Sequence, residues 1–233
     1  MIDPLAYKDT HWERIAQTRW GRYMSEIEMA SILKAHRMIE TPTAALEVGC
    51  EGGRWSRMLS DLGWKLTCTD INPTVLDICR SRVPEAELYL VRPDDRTLPC
   101  DSESIDLLLC VEGDVVMQQD WILPEAIRVL RSGGLMVSVI WNRHSWRGIL
   151  GHTVGTRTKK IDYYRFSYPE WRSRFQDAGF ELIFQEGFCW FPFGRSSDSI
   201  LVPVCTKLER LLGLRSIWTF SPWISLIARK ENR

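Results

Sequence analysis

The chain has 233 residues, with 30 Lys+Arg balancing 30 Asp+Glu and 45% hydrophobic content, which excludes disordered and fibrous classes and gives no electrostatic reason to expect nucleic acid or an anionic membrane as partner. No run approaches the roughly 20 apolar residues of a spanning helix, and the N-terminal MIDPLAYKDTHWER is charged where an export signal would be apolar, so a soluble, cytoplasmic protein is expected. The seven cysteines are odd in number, form no CxxC and lie mostly in apolar runs, a pattern expected of reduced core thiols rather than bridges or zinc ligands.

Residues 12–38 place Ile27, Ala30, Ile32, Leu33 and Met38 at roughly helical spacing, which predicts an N-terminal helical segment. A short apolar run predicts a buried strand over 44–48, followed by a glycine-containing loop from Gly49 to Gly53. Trp55, Met58, Leu59 and Leu62 then share one face of a helix that Gly63 stops. WKLTCTD reads as a second strand, and NPTVLDICRSRV as a helix with Pro73 near its first turn. ELYLVR and SIDLLLCVE are a third and a fourth strand, separated by the polar loop PDDRTLPCDSE. DWILPEAIRVLRSGG predicts a helix begun near Pro124 and stopped by Gly133 and Gly134, with a fifth strand over 135–141. From Asn142 to Ser167 no clear period emerges. A helix over 169–178, a strand over 180–186, an aromatic-rich loop, a helix near 206–212 and a last strand near 223–228 complete the chain. Strands alternating with helices predict an α/β fold with a doubly wound, mostly parallel sheet, and no Pro/Gly/Ser-rich linker divides it.

In such a sheet, ligands sit beyond the carboxyl ends of the strands where the strand order reverses, and the first strand-to-helix loop lies there. It reads Glu47-Val48-Gly49-Cys50-Glu51-Gly52-Gly53. A dinucleotide GxGxxG anchored on Gly49 would need glycine at 51 and 54, where the chain has Glu51 and Arg54, and the Glu51 carboxylate would repel a pyrophosphate. The glycines serve equally well for a tight turn, and Asp70, shortly before Asn72-Pro73, equally well as a helix cap. Asp94 and Asp95 in their polar loop also read as solvated turn chemistry, and Glu112 as a solvated carboxylate.

An acid followed by glycines two and six residues on, here Glu47, Gly49 and Gly53, resembles the cofactor loop of class I S-adenosylmethionine-dependent methyltransferases of the small-molecule type, with Glu51 in place of the usual middle glycine. Asp70 ends its strand where that family places the acid that accepts hydrogen bonds from both ribose hydroxyls. PDDRTLP resembles the family's acidic adenine loop, VLRSGGLMVSVIWNR its helix-Gly-Gly-strand segment, TRWGRY through Glu28 an N-terminal helix that covers the cofactor, and SPWISLIARK its closing strand. Motifs in the correct order and spacing together carry more than any one of them. The resemblance implies a seven-stranded Rossmann-like sheet with its last strand antiparallel, S-adenosylmethionine as cofactor, and a binding site drawn from Tyr23, Glu47, Gly49, Cys50, Glu51, Gly53, Asp70, Ile71, Asp94, Asp95, Val111 and Glu112. It also implies one domain: an N-terminal helical cover over 1–43, a cofactor-binding core over 44–141, and acceptor-side insertions with closing strands over 142–233.

Methyl transfer from a sulfonium requires nucleophile, methyl carbon and sulfur in line, so holding two ligands is the main task, worth roughly 7–11 kcal/mol when well oriented. A hydroxyl acceptor gains from a base, and His144 and His152 are the candidates in the segment after the fifth strand; a surface or backbone-bonded histidine is the competing reading for each. Asn142, Arg143, Tyr163 and Tyr164 are further positional candidates, while His11 and His36 are given no role. Phe188, Trp190, Phe191 and Phe193 read first as core edge and second as an apolar wall for an acceptor. The expected activity is transfer to an oxygen or nitrogen of a small-molecule acceptor. A non-catalytic cofactor-binding protein of the same fold is the alternative, made credible by Glu51. Aminopropyl or hydride transfer on the same scaffold is a further rival, and the absence of a basic stripe and of an Asn/Asp-Pro-Pro-aromatic run argues against a nucleic-acid substrate.

Overall fold

The computed structural model describes residues 3–111, 113–153 and 163–232, except for the side chains of Asp114 and of residues 151–153. Its sheet has seven strands, β1 (Ala44–Val48), β2 (Lys65–Asp70), β3 (Glu87–Leu90), β4 (Ile105–Cys110), β5 (Leu130–Trp141), β6 (Phe180–Phe188) and β7 (Trp223–Lys230), in the order β3-β2-β1-β4-β5-β7-β6. Strands β1 to β5 pair in parallel, whereas β7 runs antiparallel to both β5 and β6. The order reverses between β1 and β4, which opens a crevice above their carboxyl ends.

Leu107, Leu108 and Leu109 of β4 are wholly buried, as expected of a strand covered on both faces. Leu107 and Leu109 join one apolar layer and Leu108 the other, because successive side chains alternate across a strand. The first layer is closed by α2 (Arg19–Met38), α3 (Arg54–Asp61) and α4 (Pro73–Arg82), through residues such as Trp20, Met24, Ile27, Leu59 and Leu76. Met117 of the one-turn α5 (Asp114–Met117), Ile122 and Ala126 of α6 (Ile122–Val129) and Trp171 and Phe175 of α8 (Tyr168–Ala178) close the second.

The N-terminal helical segment divides in two, α1 (His11–Ile15) and α2, because local caps defeat the continuous apolar period. Thr10 and Glu13 form a reciprocal capping box at the start of α1. Thr18 caps α2, accepting from the Gly21 N–H while donating to Ile15 O at 2.7 Å. The chain folds back so tightly that a Cβ on Gly21 would lie 2.0 Å from Ile15 O, so the kink requires glycine. The helix predicted through Gly134 ends instead at Val129, and Arg131 to Gly134 belong to β5. There Ile105 pairs with Leu130 but Leu107 with Leu135, so residues 131–134 bulge out of register. Helix α7 (Trp146–Thr153) supplies regular structure in the stretch without a clear period, and α9 (Val202–Leu211), expected near 206–212, starts one turn earlier, with Pro203 in its first turn.

Candidate cofactor cleft

Glu47 near the end of β1 and Asp70 at the end of β2 line the same cleft, about 460 Å³ in volume, together with Gly49, Cys50, Glu51, Trp55 and Val111. Asp70 organises its rim. One carboxylate oxygen accepts the Glu51 N–H at 3.0 Å and the other accepts the Asn72 N–H at 2.9 Å, so the acid ties the loop after β1 to the start of α4. Asn72 in turn caps α4 through Thr74 N–H. Gly53 turns the loop into α3 with φ +76°, and a Cβ there would lie 2.5 Å from Cys79 Sγ, so both conformation and space demand glycine.

Glu47 is almost fully buried and accepts a hydrogen bond from the Ser56 hydroxyl. Burial pushes its carboxyl up to about 8, against the opposing pull of Ser56 and of the Arg54 guanidinium. A buried carboxyl held near neutrality at a cleft wall is poised to ionise when a cation arrives beside it. Arg54, also buried, lines the cleft while binding Ser25 and Glu28 of α2. Trp55 lines the cleft beside it, its indole Nε1–H buried without a hydrogen-bond partner among the described residues.

Residues 9–12 form the opposite wall. This strap is held from α4 by Arg82, whose guanidinium binds the Glu13 carboxylate, the Asp9 carboxylate at 2.6 Å and Gly52 O at 2.7 Å, and lies over the Tyr7 ring at 3.8 Å. Burial alone would raise the Glu13 carboxyl, but the Arg82 hydrogen bond and charge, with the Thr10 and Asp9 N–H groups, hold it below the usual range. Glu51, at φ +50°, accepts the Trp12 N–H at 3.2 Å and so fastens the loop to the same strap.

Residues 46–138 match a family described as "Methyltransferase domain", a stretch that runs from within β1 to within β5 and includes both acids and the glycine loop. Residues 46–138 thus carry a methyltransferase domain, and the chain is similar to the class I S-adenosylmethionine-dependent methyltransferases. A methyltransferase-like protein of Schizosaccharomyces pombe is 24% identical over 188 residues, 78% of this chain and 67% of that protein. A methyltransferase of Mycobacterium tuberculosis is 29% identical over 121 residues, 49% of each; the chain thus matches about half the length of that relative. In fold, a S-adenosylmethionine-dependent methyltransferase of Methanosarcina mazei superposes with TM-score 0.61 at 15% identity, covering 85% of this chain and 97% of that one.

For a class I methyltransferase the cleft residues suit the cofactor: two carboxylates for a cationic, hydroxyl-rich ligand. Of the residues expected from sequence, Glu47, Gly49, Cys50, Glu51, Asp70 and Val111 line one cleft, and Gly53 shapes its loop. Others stand elsewhere. Asp94 and Asp95 lie in an exposed turn outside the cleft lining, where Asp95 accepts the Arg92 N–H at 2.7 Å. Ile71 is 62% exposed and does not line the cleft. Tyr23 is buried in the core, its hydroxyl donating to Glu209 and accepting from the Cys189 N–H. The N-terminal residues that line the cleft are 9–12, and Tyr23 of α2 is not among them. Glu112 lies outside the described residues.

His144 is exposed and does not line the cleft; the side chain of His152 is not among those described. Asn142 is wholly buried and acts as a staple, its Nδ2 donating to Thr219 O at 2.8 Å and Ser221 O at 3.1 Å while its Oδ1 accepts from the His144 and Tyr168 N–H groups. Arg143 is engaged by Glu170 and Arg165 O. Phe188 is buried core, and Phe191 and Phe193 pack against that core, in keeping with the structural reading of the aromatic loop. At the carboxyl end of β5, Trp141 stacks on Trp223 at 5.0 Å and meets Tyr163 and Tyr164. The Arg195 guanidinium lies over Trp141, Trp223 and the cleft residue Trp12, 4.7–5.1 Å from each ring. Sequence reasoning missed His11, Trp12 and Arg54 as lining residues. The only signal for the strap was its concentration of aromatic and acidic residues before the first long helix.

Proposed function

We propose that this methyltransferase moves the methyl group of S-adenosylmethionine to an oxygen or nitrogen of a small-molecule acceptor. The observation that carries the reading is the convergence of Glu47 and Asp70 on one cleft at adjacent strand ends. In it, Asp70 receives the ribose hydroxyls on carboxylate lone pairs left over from its two backbone bonds, and Glu47 loses its proton and faces the cofactor's cationic end. The cofactor brings a methyl group activated on a sulfonium. The strap held by Arg82 closes the cleft over it and excludes water.

The acceptor is received on the side of Trp12, where Arg195 and the aromatic group around Trp141 adjoin the cleft. Flat rings and a guanidinium favour an acceptor with a planar or anionic part. Catalysis then consists mainly of alignment. His11, exposed on the cleft wall with its ring 5.0 Å from Trp12, is the imidazole placed to take a proton from a hydroxyl acceptor, in preference to His144. A metabolite panel scored by release of S-adenosylhomocysteine tests the reading. Turnover with a small oxygen or nitrogen nucleophile supports it; tight cofactor binding without turnover on any panel member would favour a binding protein.

A further inference from the structure

The thiols of Cys50, Cys68 and Cys79 converge from the loop after β1, from β2 and from α4, and their three Sγ atoms all lie within 4.8 Å of one another. All three residues are buried, with at most 2% exposure. The approach depends on Gly53, since any Cβ there would collide with Cys79 Sγ. Sulfurs bonded to one ion at about 2.3 Å in a trigonal plane stand about 4.0 Å apart, so small side-chain adjustments would close the triangle. We propose that Cys50, Cys68 and Cys79 form a three-coordinate site for monovalent copper.

The donor set selects the ion. Three sulfurs without oxygen exclude the hard cations, which bind through carboxylates and carbonyls. Zinc completes a tetrahedron with four ligands, and among the described residues no histidine, carboxylate or further cysteine joins the three within the same radius. Monovalent copper is soft and is satisfied by three thiolate ligands. Cys50 also lines the cofactor cleft, which gives the ion a route in and the displaced thiol protons a route out. Bound copper would cross-link the loop carrying Gly49 and Glu51 to β2 and α4. The site stands on its own geometry, whether or not the cleft's proposed substrate reading holds.

The test is an anaerobic competition between the full reduced chain and bathocuproine disulfonate for monovalent copper, with X-ray absorption on the loaded protein. One tightly held equivalent per chain with three sulfur neighbours is expected. Cys68→Ala should abolish that equivalent, and Cys205→Ala, outside the cluster, should leave it intact. Circular dichroism checks each fold, and Cys79→Ser serves if Cys68→Ala does not fold. Failure to withdraw copper from the chelator, retention of the equivalent in a folded Cys68→Ala or Cys79→Ser variant, or preferential uptake of zinc in a four-coordinate site would overturn the assignment.

Discussion

Asp70 uses one carboxylate to hold two pieces of backbone, the Glu51 and Asn72 N–H groups, and to face the cleft. Its sequence position admitted both a helix-cap and a ribose-binding reading. In the structure Asn72 is the cap of α4, and Asp70 supports it by accepting the Asn72 N–H while lining the cleft. Asp70→Ala should weaken S-adenosylhomocysteine binding by about 10- to 100-fold, the worth of roughly 1.5–3 kcal/mol for hydrogen bonds to a charged group. Titration calorimetry on the folded variant checks this, and unchanged affinity would place the ribose elsewhere. Glu47 makes a second prediction. Its folded carboxyl ionises near 8 against an ordinary 4.5, so within that window the folded chain keeps a proton that the unfolded chain has lost. The Glu47 contribution to stability without cofactor is therefore fully present below about 4.5 and is lost as pH rises through about 8, with a slope of at most about 1.4 kcal/mol per pH unit. Glu47→Gln should flatten that slope in denaturant titrations at the two ends of the window. Cofactor affinity of the parent chain should rise with pH over the same range, since a cationic ligand favours the ionised carboxylate.

Among the elements, the strap was least visible in the sequence and the strands most visible. β1 and β4 announce themselves as short apolar runs bounded by turn residues, since strands covered on both faces need apolar side chains at nearly every position. The strap has no such period. Its place depends on Arg82, some seventy residues away, which reaches Asp9, Glu13 and Gly52 O together. The same blindness affected β5, where the Ser-Gly-Gly of a bulge resembled a helix stop. Arg82→Met should remove the clamp and leave the buried Glu13 unpaired, costing about 3–5 kcal/mol. Chemical denaturation measures that loss. Proteolysis should cut within the first fifteen residues of the variant, while a variant as stable as the parent would show that the strap is held by other contacts. Because the Glu13 carboxyl is held below its ordinary 4.5, the clamp's contribution is complete above that pH and disappears as the pH falls through the lowered value.

For the whole molecule, alternation of apolar runs and amphipathic helices was enough to give the parallel sheet, but not the site in full. Glu47 and Asp70 were legible because topology alone sends the ends of β1 and β2 to one rim. Asp94 was not, since the length and path of a polar loop decide whether its acid turns inward, and here the loop closes on itself through Asp95 and Arg92. Cys50, Cys68 and Cys79 looked like separate core thiols because ten or more residues part each from the next; only the packing of α4 on the loop and β2 gathers them. The Trp141, Trp223 and Arg195 group likewise joins distant segments that no local pattern links. Titration calorimetry of the parent chain with S-adenosylhomocysteine tests the central claim most directly. One binding site per chain, weakened when Asp70 is replaced by alanine, is the predicted result. An intact fold that shows no binding would contradict the account.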